Sequence, residues 1–92
     1  MAAARMHLIA HGRVQGVGYR YFARRAAQGL KLTGWVRNCD DGSVEAEVQG
    51  PADRLAFLAD LLREGPPGGH VTSLESHGIP VREGEEGFEV RF

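Results

Sequence analysis

The 92-residue chain reads as an α+β protein: two helices on one face of a four- to five-stranded, mostly antiparallel sheet. Three observations predict this. Apolar residues alternate with polar ones at Met6/Leu8/Ala10, at Val44/Ala46/Val48 and at Phe88/Val90/Phe92, which is the period of a strand. They recur at helical spacing over residues 22–30 and 55–62. The elements also follow one another as β-α-β-β-α-β, with a further short strand at the end. That order is the split βαβ, or ferredoxin-like, arrangement.

Each element has its own signal. Residues 7–10 form a mostly apolar run, with Met6, Leu8 and Ala10 on one face. Phe22, Ala26 and Leu30 then fall at i, i+4 and i+8, with Ala23 and Ala27 beside them, and the helix ends near Gly29. A strand resumes over residues 32–36, containing Thr33, Trp35 and Val36, and Asp41-Gly42 signals a hairpin. After it Val44, Ala46 and Val48 alternate with Glu45, Glu47 and Gln49, giving one dry and one wet face. Pro51 suits the first position of a second helix. There Leu55, Leu58 and Leu62 make a stripe that Phe57 and Leu61 widen. The run Gly65-Pro66-Pro67-Gly68-Gly69 stops that helix. Residues 71–79 form a weaker strand interrupted by polar residues, and Phe88, Val90 and Phe92 a short last one. Neither a repeat nor a composition shift divides the chain, so residues 1–92 are expected to form a single domain with one core.

Composition narrows the function. The formal net charge of −1 argues against binding that relies on bulk phosphate neutralisation. One cysteine, Cys39, permits no intrachain disulfide and fits a reducing compartment. The stretch Met1-Ala2-Ala3-Ala4-Arg5 is too short for the apolar region of a signal peptide, and no run approaches membrane-spanning length. The expectation is therefore a cytoplasmic protein with neither membrane nor nucleic acid as partner, small enough to act as a monomer.

The chemistry points to Gly12-Arg13-Val14-Gln15-Gly16-Val17-Gly18-Tyr19-Arg20, lying between the first strand and the first helix. A glycine-rich turn at such a junction can converge several backbone N–H groups on an anion. It is not a Walker A loop, because Gly-Lys-Ser/Thr is missing. Nor is it a Rossmann fingerprint, because Tyr21 stands where the third glycine would be. Arg20 falls in the first helical turn, and side chains there lean toward the helix N-terminus, so its guanidinium can reach back over the loop. On the glycines alone, a plain β-α turn with an exposed arginine is the commoner explanation of the run. The first two strands are joined by a helical crossover and so run the same way. Asn38, at the end of the second, is thereby brought to the same edge as the loop, although asparagine also suits a turn.

Residues 12–20, taken with Gly34-Trp35-Val36-Arg37-Asn38 and Asp41-Gly42-Ser43-Val44-Glu45, resemble the two motifs of the acylphosphatase family over nearly the whole chain. The resemblance implies hydrolysis of acyl phosphates to a carboxylate and phosphate, without metal or cofactor. It implies that Arg20 and Asn38 are the catalytic residues. It also implies that Gln15, Gly16, Val17, Gly18, Tyr19 and Arg20 bind the phosphoryl group, with the backbone of residues 12–18 as cradle. Inorganic phosphate or sulfate would then occupy the site. Tyr19 stands where the family often carries phenylalanine, and Gly18 where some members carry a bulkier residue.

The remaining polar residues have plainer readings. His7 and His11, four apart on a strand, put their Cα atoms about 13 Å from each other, a poor metal pair. With His70 and His77 they read as scattered surface histidines. Asp40 and Asp41 read as turn formers, Glu83, Glu85 and Glu86 as a solvated acidic stretch, and Trp35 as sheet packing. Tyr19 and Tyr21 could flank the substrate, with the packing of the first helix the preferred reading, and Phe92 is a packing residue at the chain end. Two other functions remain open. An RNA reader on the same topology would pair exposed aromatics on its central strands, and residues 7–10 and 44–48 carry none. An inactive relative would keep the cradle as an anion sensor.

Overall fold

The computed structural model describes residues 3–92, so Met1 and Ala2 of the leading stretch lie outside the described residues. Five strands and two helices follow the expected order: β1 (Ala3–Arg13), α1 (Tyr19–Gly29), β2 (Thr33–Asn38), β3 (Val44–Pro51), α2 (Ala52–Glu64), β4 (His70–Ile79) and β5 (Phe88–Arg91). They form one sheet ordered β4-β1-β3-β2-β5. Every neighbouring pair is antiparallel except β2 and β5, which run parallel. The C-terminal strand is thus an edge strand.

Alternation decides which face is dry. Leu8, Ala10, Val36, Val44, Ala46 and Val48 point to the helices and are buried with Ala23 and Ala27 of α1 and Leu55, Leu58 and Leu62 of α2. The helices divide this face, α1 covering β2, β3 and β5, and α2 covering β1, β3 and β4. The opposite face carries no helix and is a lattice of charges. On it Trp35 is buried beneath two guanidinium groups, those of Arg91 at 4.7 Å and Arg37 at 5.9 Å from its ring centre.

Four local expectations are corrected. Pro51 ends β3 and caps α2 from outside, with ψ 140° in the extended range, so the helix begins at Ala52. Phe57 is more than half exposed. At 100° per residue it lies well round the helix from the Leu55/Leu58/Leu62 stripe. Glu85 does not belong to a solvated stretch, because it grips Arg5 (Nη1–Oε1 2.8 Å, Nη2–Oε2 3.1 Å). Arg5 is only 2% exposed and also binds Glu47 and Gln49. Glu83 and Glu86 remain exposed as expected. Finally, Gly12 is not part of the turn. It and Arg13 pair with Val71 and His70 as the last residues of β1, just past an irregularity at His11/Gly12. With φ 119° and the His70 carbonyl oxygen 2.2 Å from where a Cβ would stand, Gly12 serves close strand approach.

The topology sets the site. β1 and β2 both run antiparallel to β3, hence parallel to each other, and Val44 is paired with Ala10 on one side and Asn38 on the other. Asn38 is therefore level with Ala10, two strand spacings away, about 9.5 Å. The chain leaving β1 beyond Arg13 rises past the same end of the sheet.

Candidate active site

Residues 14–18 link β1 to α1. Gly16 (φ 76°) and Gly18 (φ 78°, ψ 21°) are left-handed, while Gln15 and Val17 are not. Alternating hands along consecutive residues turns successive N–H groups toward one concavity, the geometry of an anion nest. A Cβ at Gly16 or Gly18 would meet nothing within 4 Å, so the requirement there is for backbone angle rather than space. None of the turn, loop and cap hydrogen bonds among the described residues is donated by the backbone N–H groups of residues 15–18. Gly18 also caps α1, whose first turn contains no acidic residue, so the positive end of the helix dipole is not neutralised locally.

Gly16, Gly18, Arg20, Tyr21 and Asn38 line one cavity of about 110 Å³. The two residues expected to be catalytic thus share a concavity with the expected loop. Arg20 is held from behind by the chain end. Its Nη1 donates to the Arg91 carbonyl at 3.0 Å, and its guanidinium lies 4.6 Å from the Phe92 ring centre. Phe92 itself is 93% exposed, so its ring meets the arginine instead of packing in the core. Parallel pairing of β5 with β2 delivers these residues to the site, and no local pattern in the sequence announced it.

Gln15 and Tyr19 are present but turned elsewhere. The Gln15 side-chain amide donates to the carbonyls of Cys39 (2.7 Å) and Ser43 (2.9 Å), tying the loop to the β2–β3 connection. Its main chain alone is left for an anion. Tyr19 is buried, its hydroxyl donating to the Leu62 carbonyl at 2.7 Å, and burial pushes the phenol well above its ordinary pKa. That is the helix packing expected of it. Tyr21, half exposed, lines the cavity instead.

The hairpin after Asn38 is closed by its own hydrogen bonds. Cys39 N–H donates to Ser43 O at 2.9 Å and Gly42 N–H to Cys39 O at 3.2 Å. The Asp41 carboxylate accepts from the Ser43 hydroxyl and amide (2.6 and 2.9 Å), which hold it below the usual carboxylate range. Asp41 is a turn former, as its type suggests. His7 and His11 lie on the helix-free face, opposite Leu8 and Ala10. His7 meets Glu45 at 2.6 Å and His11 meets Glu75 at 2.5 Å, each reaching diagonally to the residue opposite Ile9 on the neighbouring strand.

The model of the acylphosphatase family matches residues 6–90. The chain belongs to the acylphosphatase family. An acylphosphatase of Syntrophotalea carbinolica is 44% identical across the whole length of both chains. One of Bordetella parapertussis is 52% identical over 71 residues, 77% of this chain and 76% of that one. The crystal structure of acylphosphatase from Bacillus subtilis superposes with a TM-score of 0.93 at 37% identity, covering 97% of this chain and 99% of that one. The chain is accordingly an enzyme, a hydrolase acting on acyl phosphates with the ferredoxin-like fold of its family. Among the described residues no helix is long and apolar enough to cross a membrane.

Proposed function

We propose that the chain hydrolyses a small-molecule acyl phosphate with the phosphoryl group seated on the N–H groups of residues 15–18 and on Arg20, and with the attacking water oriented by Asn38. The observation that carries this reading is the shared cavity, lined by Gly16, Gly18, Arg20 and Asn38, beside loop amides that no turn or cap hydrogen bond engages. The charges match the substrate. Three phosphoryl oxygens ask for several fixed donors, and a planar guanidinium supplies two in parallel.

The reaction asks little else of the protein. An acyl phosphate is a mixed anhydride whose leaving group is a carboxylate of pKa about 4, so it departs without a general acid. The water oxygen attacks phosphorus, the bond from phosphorus to the acyl oxygen breaks with its electron pair going to the carboxylate, and the water proton ends on the phosphate product. A loose transition state puts little charge on the water early, which relieves the need for a strong base. Positioning and charge stabilisation remain, and those are what a preorganised cradle provides. No metal or cofactor is part of this scheme.

Hydrolysis of benzoyl phosphate in excess chelator tests it. Arg20→Ala is expected to lose phosphate affinity and turnover together, the latter by on the order of a hundredfold or more. Asn38→Ala is expected to lower kcat by a similar factor while inhibition by inorganic phosphate changes little. An Asn38→Ala enzyme with normal kcat and weakened phosphate inhibition would overturn the water-orienting role. Absence of turnover in the native protein, with phosphate still bound through Arg20, would instead make the chain an anion sensor.

A further inference from the structure

The cradle accounts for the phosphoryl end of the substrate and leaves the acyl end without a seat. Beside it lies a larger groove of about 550 Å³ between α1 and the loop after α2, lined by Tyr21, Arg24, Arg25, Pro66 and Pro67 among others. Tyr21 borders both cavities, so its half-exposed ring is the sill between them. The groove also carries unspent charge. Helix α1 contains Arg20, Arg24 and Arg25 and no acidic residue, in a chain whose net charge is −1. Among the described residues neither Arg24 nor Arg25 forms an ion pair, whereas Arg5, Arg37, Arg63 and Arg91 all do. The Arg24 guanidinium lies 5.2 Å from the centre of the Tyr21 ring, a contact that leaves its N–H groups available.

We propose that the acyl group leaves the cradle across Tyr21 into this groove, and that the preferred substrates are acyl phosphates bearing a second anionic group, which Arg24 receives. The proposal rests on the reading of the cradle above. Arg24 lies four residues beyond Arg20 on the same side of α1, about 6 Å along the axis, so its long side chain can reach an anion set one ring beyond the phosphoryl group. Tyr21 gives such a spacer an aromatic face to stack on. Pro66 and Pro67 close the far side with surface that loses little entropy when covered.

The test uses two non-hydrolysable phosphonates in which a methylene replaces the scissile oxygen: phenacylphosphonate and its 4-carboxy derivative. Calorimetry on the native protein is expected to give about tenfold tighter binding of the carboxylated compound, as one charge-assisted contact would produce. In Arg24→Gln, which removes the charge from a half-buried side chain, that selectivity is expected to collapse to about one. Tyr21→Ala is expected to weaken phenacylphosphonate several-fold relative to acetonylphosphonate, which lacks the ring. Equal native affinity for the two aryl compounds overturns the proposal, and so does selectivity that survives Arg24→Gln. Turnover of benzoyl phosphate is measured alongside. A protein that hydrolyses it without carboxylate selectivity loses only the groove, one that selects without hydrolysing loses only the catalytic reading, and one that binds neither phosphonate loses both.

Discussion

Two hydrogen bonds from Gln15 join the phosphate loop to the connection that carries Asn38. The acceptors are main-chain carbonyls on either side of the hairpin, so the side chain fixes the distance between the two halves of the site. Gln15→Ala deletes both donors. It is expected to cost about 1–2 kcal/mol of stability and to lower kcat/KM roughly tenfold through loss of alignment. Urea unfolding and steady-state kinetics measure the two effects. Loss of stability without loss of kcat/KM would show that the loop holds its shape unaided. The sequence placed Gln15 at the site for its backbone. It gave no sign of the side chain's partners, because a bond spanning residues 15 and 39 or 43 depends on the register of β1 and β2 across β3. That Arg20 and Asn38 stand at one edge was legible for the opposite reason, since each sits at the end of an element whose period is plain, whereas their expected role came from the family resemblance.

At the scale of elements, strand and helix periods placed β1, β3, β5 and both helices, while β2 was read from Thr33, Trp35 and Val36 and β4 from a weaker run interrupted by polar residues; departures fall where one residue type serves two geometries. Proline suits a helix start both as the first helical residue and as the residue before it, and Pro51 takes the latter place. Gly29 suits a helix end, yet the left-handed position falls on Lys31 (φ 56°), with Leu32 N–H donating to Ala27 O at 2.9 Å. A lysine there carries a steric penalty that glycine lacks. Lys31→Gly relieves it at the expense of greater freedom in the unfolded chain. The net expectation is stabilisation by about 0.5–1 kcal/mol, read as a rise in melting temperature with kcat unchanged. A lower melting temperature would mean that the aliphatic stem of Lys31 contributes packing that outweighs the strain.

The whole molecule presents two unlike faces, one apolar beneath the helices and one a lattice of charges, and the second makes its stability depend on pH. Arg5 is the centre of that lattice, gripping Glu85 and Glu47, while Glu45 bridges His7 and Arg37. The hydrogen bonds from Arg5 hold the Glu85 carboxyl below its ordinary range, and those from His7 and then Arg37 do the same for Glu45. Both groups bind protons more weakly folded than unfolded. Their stabilisation is complete above the unfolded carboxylate pKa of about 4.3 and is lost as pH falls through the folded values, because the unfolded chain takes up protons first. Unfolding free energy is therefore expected to be flat above about pH 6 and to fall steeply below about pH 5. Glu85→Gln should remove part of that slope and cost about 2 kcal/mol at neutral pH, less than for a wholly isolated buried charge because Glu47 and Gln49 still satisfy Arg5. Urea titrations from pH 3 to pH 7 on both proteins decide it, and an unchanged acid slope in Glu85→Gln would move the titrating carboxylate elsewhere. The lattice lies on the side of the sheet away from the helices, so acid is expected to loosen β1, β3 and the β4–β5 connection before it disturbs the cradle at the start of α1.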